Sequence, residues 1–252
     1  TNTAEIFDPA DNSFTAVGPM NYPHLAQLPG KLRDGRVVQG SSYYNLTHTA
    51  AGGRITDESE IYDPATQSFT PIAPMFKQRI DIGAQGLLDG TLLIAGGVTT
   101  SPNFPSIFQS TSEVFDPASG SWKLSGIMSS GRDEFSGLLL DDGRVVISGG
   151  FVSLFFIVTD TTEIYTPGLI PQTKGLYNVL NDLPDAAFRN GPARSQLLHV
   201  LDKIAGHVGA TGGPVDLSKA LHESLKLADR VSNHITNPSE RAVIRWVPAE
   251  SP

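Results

Sequence analysis

The 252 residues contain no cysteine, which excludes disulfides, thiolate metal sites and cysteine nucleophiles while leaving either redox compartment open. No uninterrupted apolar run approaches the roughly 18 residues of a membrane-spanning helix, so no span is expected. Basic residues are scarce: 18 stand against 26 acidic ones, for a formal charge of -8. That balance repels phosphate backbones and anionic lipid surfaces, and nucleic acid is not an expected partner. The opening Thr1-Asn2-Thr3-Ala4-Glu5 has neither a basic start nor an apolar core and reads as no secretory signal. A nucleophile elbow, a phosphate-cradling glycine loop and a paired-histidine metal motif are all missing.

What the chain does have is a period. Glu5-Ile6-Phe7-Asp8-Pro9 returns as Glu60-Ile61-Tyr62-Asp63-Pro64, as Glu113-Val114-Phe115-Asp116-Pro117 and, decayed, as Glu163-Ile164-Tyr165-Thr166-Pro167. A second series, Asp34-Gly35, Asp89-Gly90 and Asp142-Gly143, precedes the β-rich runs Val37-Val38, Leu92-Leu93-Ile94 and Val145-Val146-Ile147, two of which end in Gly96-Gly97 and Gly149-Gly150. The three methionines supply a third series: Met20, Met75 and Met128 are each followed four residues later by His24, Arg79 and Arg132. Repeats of about 50 residues indicate a propeller. Each period reads as two hairpins, one around the Asp-Gly turn and one around the Asp-Pro turn, giving four antiparallel strands a to d.

The order of double glycine, loop, Glu-Val-Phe-Asp-Pro, Trp122, Met128 and Arg132 resembles the Kelch repeat in its bacterial form, the repeat also found in galactose-oxidase-like central domains. The resemblance covers residues 1–167 and implies an all-β fold of about three to four propeller blades. Only two blades, about 22–73 and 76–125, are complete in sequence; the first repeat holds its second hairpin alone, and the fourth stops after its third strand. Propellers close with about four to eight blades. The chain is therefore expected to be a fragment, or to have its open blades covered by other copies through self-association of exposed blade edges.

Beyond Gly168 the periodicity becomes helical, and residues 168–252 are expected to form a helical accessory domain. Pro192 to about Val208 aligns Leu197, Leu198, Leu201, Ile204 and Val208. A second helix opens at Asp216 with Leu217, Leu221, Leu225, Ala228, Val231 and Ile235 on one face, and a short helix near Tyr177–Leu183 supports the pair. Ala187-Phe188-Arg189-Asn190, Arg194 and Trp246 resemble small helical modules at the ends of secreted bacterial proteins. That resemblance implies an attachment role and an extracellular or periplasmic location.

Function is expected in loops. Antiparallel strands return the d-to-a connections, with His24, Arg79 and Arg132, and the b-to-c insertions, residues 41–58, 98–110 and 151–161, to one face. Two roles fit the arginines: pairing with neighbouring blades, as residues repeated with the scaffold usually do, or binding a carboxylate or sugar hydroxyls. Tyr43, Tyr44, Phe104, Phe155 and Phe156 are the aromatic candidates for binding a protein or glycan. The apolar run Phe151 to Ile157 is expected to pack on the helices; left exposed, it would be an interaction patch. Asn45-Leu46-Thr47 fits a glycosylation acceptor, a pattern common by chance. His199, His207, His222 and His234 lack the spacing of a helical zinc pair, so no metal and no cofactor is expected. Among enzymes on this scaffold, the copper radical oxidases need a tyrosine crosslinked to cysteine, which this chain cannot form. The reading is a non-catalytic binding scaffold, with an extracellular oxidase or carbohydrate-active fragment and a self-assembling structural protein as its rivals.

Overall fold

The computed structural model describes residues 2–24, 29–45, 53–101, 104–153, 155, 157–188, 192–207, 219, 223, 226, 227, 230, 231 and 235. It begins with a lone hairpin of β1 (Glu5–Asp8) and β2 (Ser13–Ala16). A four-stranded antiparallel sheet follows, with β3 (Gly30–Lys31), β4 (Val37–Asn45), β5 (Gly53–Asp63) and β6 (Ser68–Ile72) side by side in chain order. The next repeat supplies β7 (Gly83–Gly86), β8 (Leu92–Ala95), the inserted hairpin β9 (Val98–Ser101) and β10 (Phe104–Phe108), then β11 (Thr111–Asp116) and β12 (Ser121–Ile127). Its sheet runs β7, β8, β11, β12, with β9 and β10 forming a separate pair. A three-stranded sheet of β13 (Ser136–Leu139), β14 (Val145–Ser148) and β15 (Thr162–Tyr165) completes the strands. The protein is thus mostly β, built of antiparallel sheets that resemble propeller blades, with helices near its C-terminus.

The turn residues explain the hairpins. Gly35, Gly90 and Gly143 take φ of 92, 90 and 85°, the left-handed region that the Asp-Gly turn demands. The preceding aspartates close the turns: Asp34, Asp89 and Asp142 accept from the backbone N–H groups of Arg36, Thr91 and Arg144 at 3.0, 3.0 and 3.1 Å. In the second hairpins Asp8, Asp63 and Asp116 accept from the N–H groups of Ala10, Ala65 and Ala118 at 2.8, 2.8 and 2.9 Å. Both are Asx turns, which is why aspartate recurs there.

Alternation puts one set of side chains on each sheet face. Val38 and Ile61 of the first complete sheet pack against Leu92, Ile94, Phe115 and Trp122 of the next, forming the core between them. Fully burying such side chains contributes about 1.5–3 kcal/mol each. The indole of Trp122 also crosses the gap, donating from Nε1 to the Ala73 carbonyl at 2.9 Å and to Ser59 Oγ at 3.2 Å. Gly97 permits a close approach: its N–H donates to the Arg132 carbonyl at 2.8 Å, and a Cβ there would stand 2.5 Å from the Ile80 carbonyl oxygen.

The described chain divides into two compact units: residues 1–138 with 146–165, and residues 139–145 with 166–252. In the second, α1 (Leu169–Asp182) and α2 (Ala193–His207) pack through Leu176, Val179 and Leu180 on one side and Leu197, Val200, Leu201 and Ile204 on the other. The first helix starts well before the expected Tyr177, because Pro171 falls in its first turn, where a missing N–H costs nothing. Of the helix expected from Asp216, Lys219, Glu223, Lys226, Leu227, Arg230 and Val231 are helical. Asp216 and Trp246 lie outside the described residues. Arg194 stacks over the Phe188 ring, 4.8 Å from its centre, and donates to the Leu183 carbonyl.

Candidate binding face

The glutamates of three of the four Glu-Ile/Val-aromatic motifs, Glu60, Glu113 and Glu163, anchor their sheets. Glu113 is buried on β11 and accepts from the Phe76 and Lys77 N–H groups at 2.7 and 3.0 Å and from Arg79 Nη2 at 2.8 Å. Arg79 has no exposed surface; its Nη1 donates to the carbonyls of Gly96 and Thr111 at 3.0 and 2.8 Å, and its Nη2 also to Thr111 Oγ1 at 3.0 Å. Burial drives its pKa down, and the neighbouring Glu113 charge opposes that shift.

The same buckle recurs on either side. Glu163 accepts from the Ser129 N–H and from Arg132 Nη2 at 2.7 Å each, while Arg132 Nη1 donates to the carbonyls of Gly149 and Thr161. Burial raises the Glu163 pKa, but the Ser129 donors and Arg132 outweigh it and hold the carboxyl below its usual value. Glu60 accepts from the Asn21 and Tyr22 N–H groups and meets His24 Nε2 at 2.8 Å, with His24 Nδ1 on the Ser41 carbonyl at 2.6 Å. Ser41, Gly96 and Gly149 are equivalent positions with φ of 62, 63 and 70°. The left-handed backbone turns each carbonyl toward the His24, Arg79 or Arg132 side chain, and in the first complete sheet serine accepts that strain where glycine sits elsewhere.

His24, Arg79 and Arg132 therefore lie inside the scaffold, where a ligand cannot reach the buried guanidinium groups of Arg79 and Arg132. Of the two roles open to them in the sequence, the structure provides the packing one. The pairing is made within the blade that each connection enters, not across to a neighbouring blade.

The b-to-c insertions are rooted in these connections. Ile80 exchanges backbone hydrogen bonds with Val98 at 2.9 and 2.8 Å, and Asp133 exchanges them with Phe151 at 3.1 and 3.0 Å. Two insertions are ordered as hairpins that the repeat pattern did not announce. In the first, β4 and β5 continue past Ser41 to the pairs Tyr43 with Ile55 and Tyr44 with Arg54; in the second, Phe104 of β10 pairs with Ser101. The side chains of Tyr43, Tyr44 and Phe104, and the residues Phe156, Leu46 and Thr47, lie outside the described part.

In the third insertion Phe155 keeps 87% of its surface exposed, and Ile157 and Val158 are exposed with it, while Leu154 lies outside the described residues. The loop is nonetheless well held: Val152 N–H donates to the Ile157 carbonyl at 2.9 Å, and Thr159 N–H to the Gly150 carbonyl at 3.0 Å.

At its root is an acidic group that sequence reasoning missed. Asp133 is buried, and its Oδ1 has no hydrogen-bond partner among the described residues. Its pKa is pushed up to about 6, first by burial and then by the charges of Asp81 and Glu134. Burial and Glu134 raise Asp81 as well. Asp81 and Glu134 stand two residues after Arg79 and Arg132 and share left-handed backbones, φ 55 and 47°. That spacing was the available signal. No set of three histidine or acidic residues among the described residues is arranged to hold a metal ion, and no described helix is long and apolar enough to cross a membrane.

No family model matches the chain, and no curated protein matches it. Among solved structures it is similar to that titled "Structure of YjhT", a Kelch-repeat propeller protein, with a TM-score of 0.52 and 15% sequence identity. The match covers 65% of this chain and 48% of that one, so the chain spans about half the length of its structural relative. At this identity the likeness shows the fold: a mostly β chain of Kelch-like propeller blades followed by helices.

Proposed function

We propose that this chain is a non-catalytic interaction scaffold that captures a protein ligand on the face from which the b-to-c insertions project. The supporting observation is the loop of residues 151–158, which holds Phe155, Ile157 and Val158 in solvent on a hydrogen-bonded base. Exposed apolar side chains on a rigid mount lose little entropy when covered, and contiguous apolar surface marks an interaction site. Asp81, Asp133 and Glu134 below the loop favour a ligand that brings a positive charge beside its apolar anchor. Glycan is the second reading, favoured by the exposed ring of Phe155, whose face could stack on a sugar ring.

Screening the chain against a displayed-peptide library and a glycan array, in parallel with Phe155→Ser and Asp133→Asn, tests both. A protein-binding face yields peptide ligands that the Phe155→Ser protein no longer holds. Hits that bind both variants as well as the parent would remove this loop from the function, and glycan hits lost in Phe155→Ser, without peptide hits, would favour the second reading.

A further inference from the structure

Directly after His24, Arg79 and Arg132 the sequence places Leu25, Ile80 and Asp133. Ile80 and Asp133 do the same backbone work: each exchanges two hydrogen bonds with the first residue after a double glycine, Val98 or Phe151. A place that is apolar in the two earlier repeats therefore holds a carboxyl in the third. That carboxyl is closed in. Asp133 is 8% exposed, and its Oδ1 has no hydrogen-bond partner among the described residues. A Cβ on Gly150 would stand 2.5 Å from the Asp133 carbonyl oxygen, so the base of the 151–158 loop lies directly against this residue.

The surroundings add negative charge and bring no cation to bear. Asp81, from the preceding connection, and Glu134, from its own, disfavour the ionised form of Asp133. The Nη atoms of Arg79 and Arg132 are taken up by Glu113, Glu163 and backbone carbonyls. Segment 97–110, which bonds to the Arg132 backbone, and segment 149–159 contain no ionisable side chain, and Asp160 at the loop exit is exposed.

We propose that Asp133 is a pH-sensitive latch on the 151–158 loop: as a neutral acid it holds the loop base closed, and its ionisation loosens that base toward neutral pH. Charging a buried carboxyl beside two others costs free energy in the closed base, a cost that an opened and hydrated base escapes. With a pKa of about 6 closed and near 3.8 hydrated, the base is fully held below about pH 4. Opening then grows as pH rises to about 6, by at most about a hundredfold. What the latch does to a ligand rests on the binding role proposed for this loop; the latch itself is read with no ligand present.

Amide hydrogen exchange of the whole chain at Phe151, Val152 and Thr159, from pH 4 to 7, compares the parent with Asp133→Asn and with Asp133→Ile, which copies Ile80. None of these amides adjoins position 133, so the ratio of parent to variant rates at each pH cancels the intrinsic pH dependence of exchange. That ratio should rise at least about tenfold across the range, and Glu134→Gln in the parent should move the rise to lower pH. A flat ratio against both variants would overturn the proposal. So would an equal rise at the Ile80 and Val98 amides, which would make the effect a property of the whole unit rather than of this loop. Peptide capture and its loss in Phe155→Ser test the binding role separately, so either reading can fail alone.

Discussion

Replacing Arg79 by alanine isolates the buckle, because the guanidinium has no exposed surface and satisfies two carbonyls, one hydroxyl and one carboxylate. Removing it leaves the buried Glu113 with only the Phe76 and Lys77 N–H donors, and takes a donor from the Gly96 carbonyl and from both Thr111 oxygens, of which the carbonyl keeps the Gly96 N–H. Breaking a buried ion pair from one side costs about 3–5 kcal/mol. For a β unit of this size each kcal/mol is worth roughly 2–4 °C, so the transition should fall by about 6–20 °C. Fluorescence of Trp122, buried in the core that the same blade contributes, reports the loss of that unit during thermal unfolding.

Arg79→Met with Glu113→Gln removes both charges and should recover part of the loss, since the unpaired buried carboxylate is the largest cost. Arg132→Ala should cost less, because Glu163 retains 23% exposure and can be rehydrated. Arg36→Ala, which breaks an exposed pair with Asp34, should stay within about 0.5 kcal/mol. If Arg79→Ala melted like the parent, the buckle would carry no stability. The side chain would then have to be explained by another role.

Asp133→Asn should melt with the parent near pH 4 and above it at pH 7. A carboxyl whose folded pKa is raised to about 6 makes the native state hold its proton longer than the unfolded chain, so stability declines as pH climbs from about 4 through 6 and the amide abolishes that decline. A carbon-13 titration of the Asp133 carboxyl with a midpoint near 4 would sink this reasoning. Gly97→Ala should lose at least about 1–3 kcal/mol, because φ of 89° is strained for any side chain and the methyl would meet Ile80 and Ile82; an unchanged denaturant midpoint would contradict it. Phe155→Ser should leave the midpoint within about 0.5 kcal/mol of the parent, and a large loss would mean that the side chain packs in the fold.

The parts of the fold that were legible in the sequence are those where a single residue type performs a local task. Asp-Gly and Asp-Pro turns announce themselves, because few residues can accept from the i+2 N–H or adopt φ near 90°, and the strands between them follow. The β9 and β10 hairpin and the continuation of β4 into β5 were not legible, since no turn signature repeats there and their pairing is set by neighbours. Ser41 in a left-handed backbone was hidden because only the other two repeats use glycine.

The candidate site was half legible for a related reason. Arg79 and Arg132 were located on the correct connections, but periodicity gives a face and not a depth, and arginine is ordinarily exposed. Their partners stood in the motif itself, the repeated glutamates. A base followed 36, 34 and 31 residues later by an acid, His24 with Glu60, Arg79 with Glu113 and Arg132 with Glu163, was the unused sign of a structural pair. Asp133 itself repeats nothing, since Ile80 holds its place one repeat earlier; only its neighbours Asp81 and Glu134 recur at a common spacing, and the fold brings Asp81 to it.

The buckle also accounts for how one scaffold tolerates such different insertions. The three glutamates fix the incoming connection to strand c, and the carbonyl next to each insertion root is itself held by the cation, as Gly96 is by Arg79 and Gly149 by Arg132. Beyond Val98 and Phe151 the backbone has already made its bonds to Ile80 and Asp133, and only a few residues further out bond back, as Thr99 Oγ1 does to the Gln78 carbonyl. A long strand pair, a separate hairpin and an apolar loop can then occupy equivalent places over the same three buried pairs. The left-handed residues at the root, Ser41, Gly96 and Gly149, mark where the blade ends and the insertions begin. Changes inward of that boundary should act on stability through burial and charge pairing, and under the proposed function changes outward of it should act on what the loops present to a ligand.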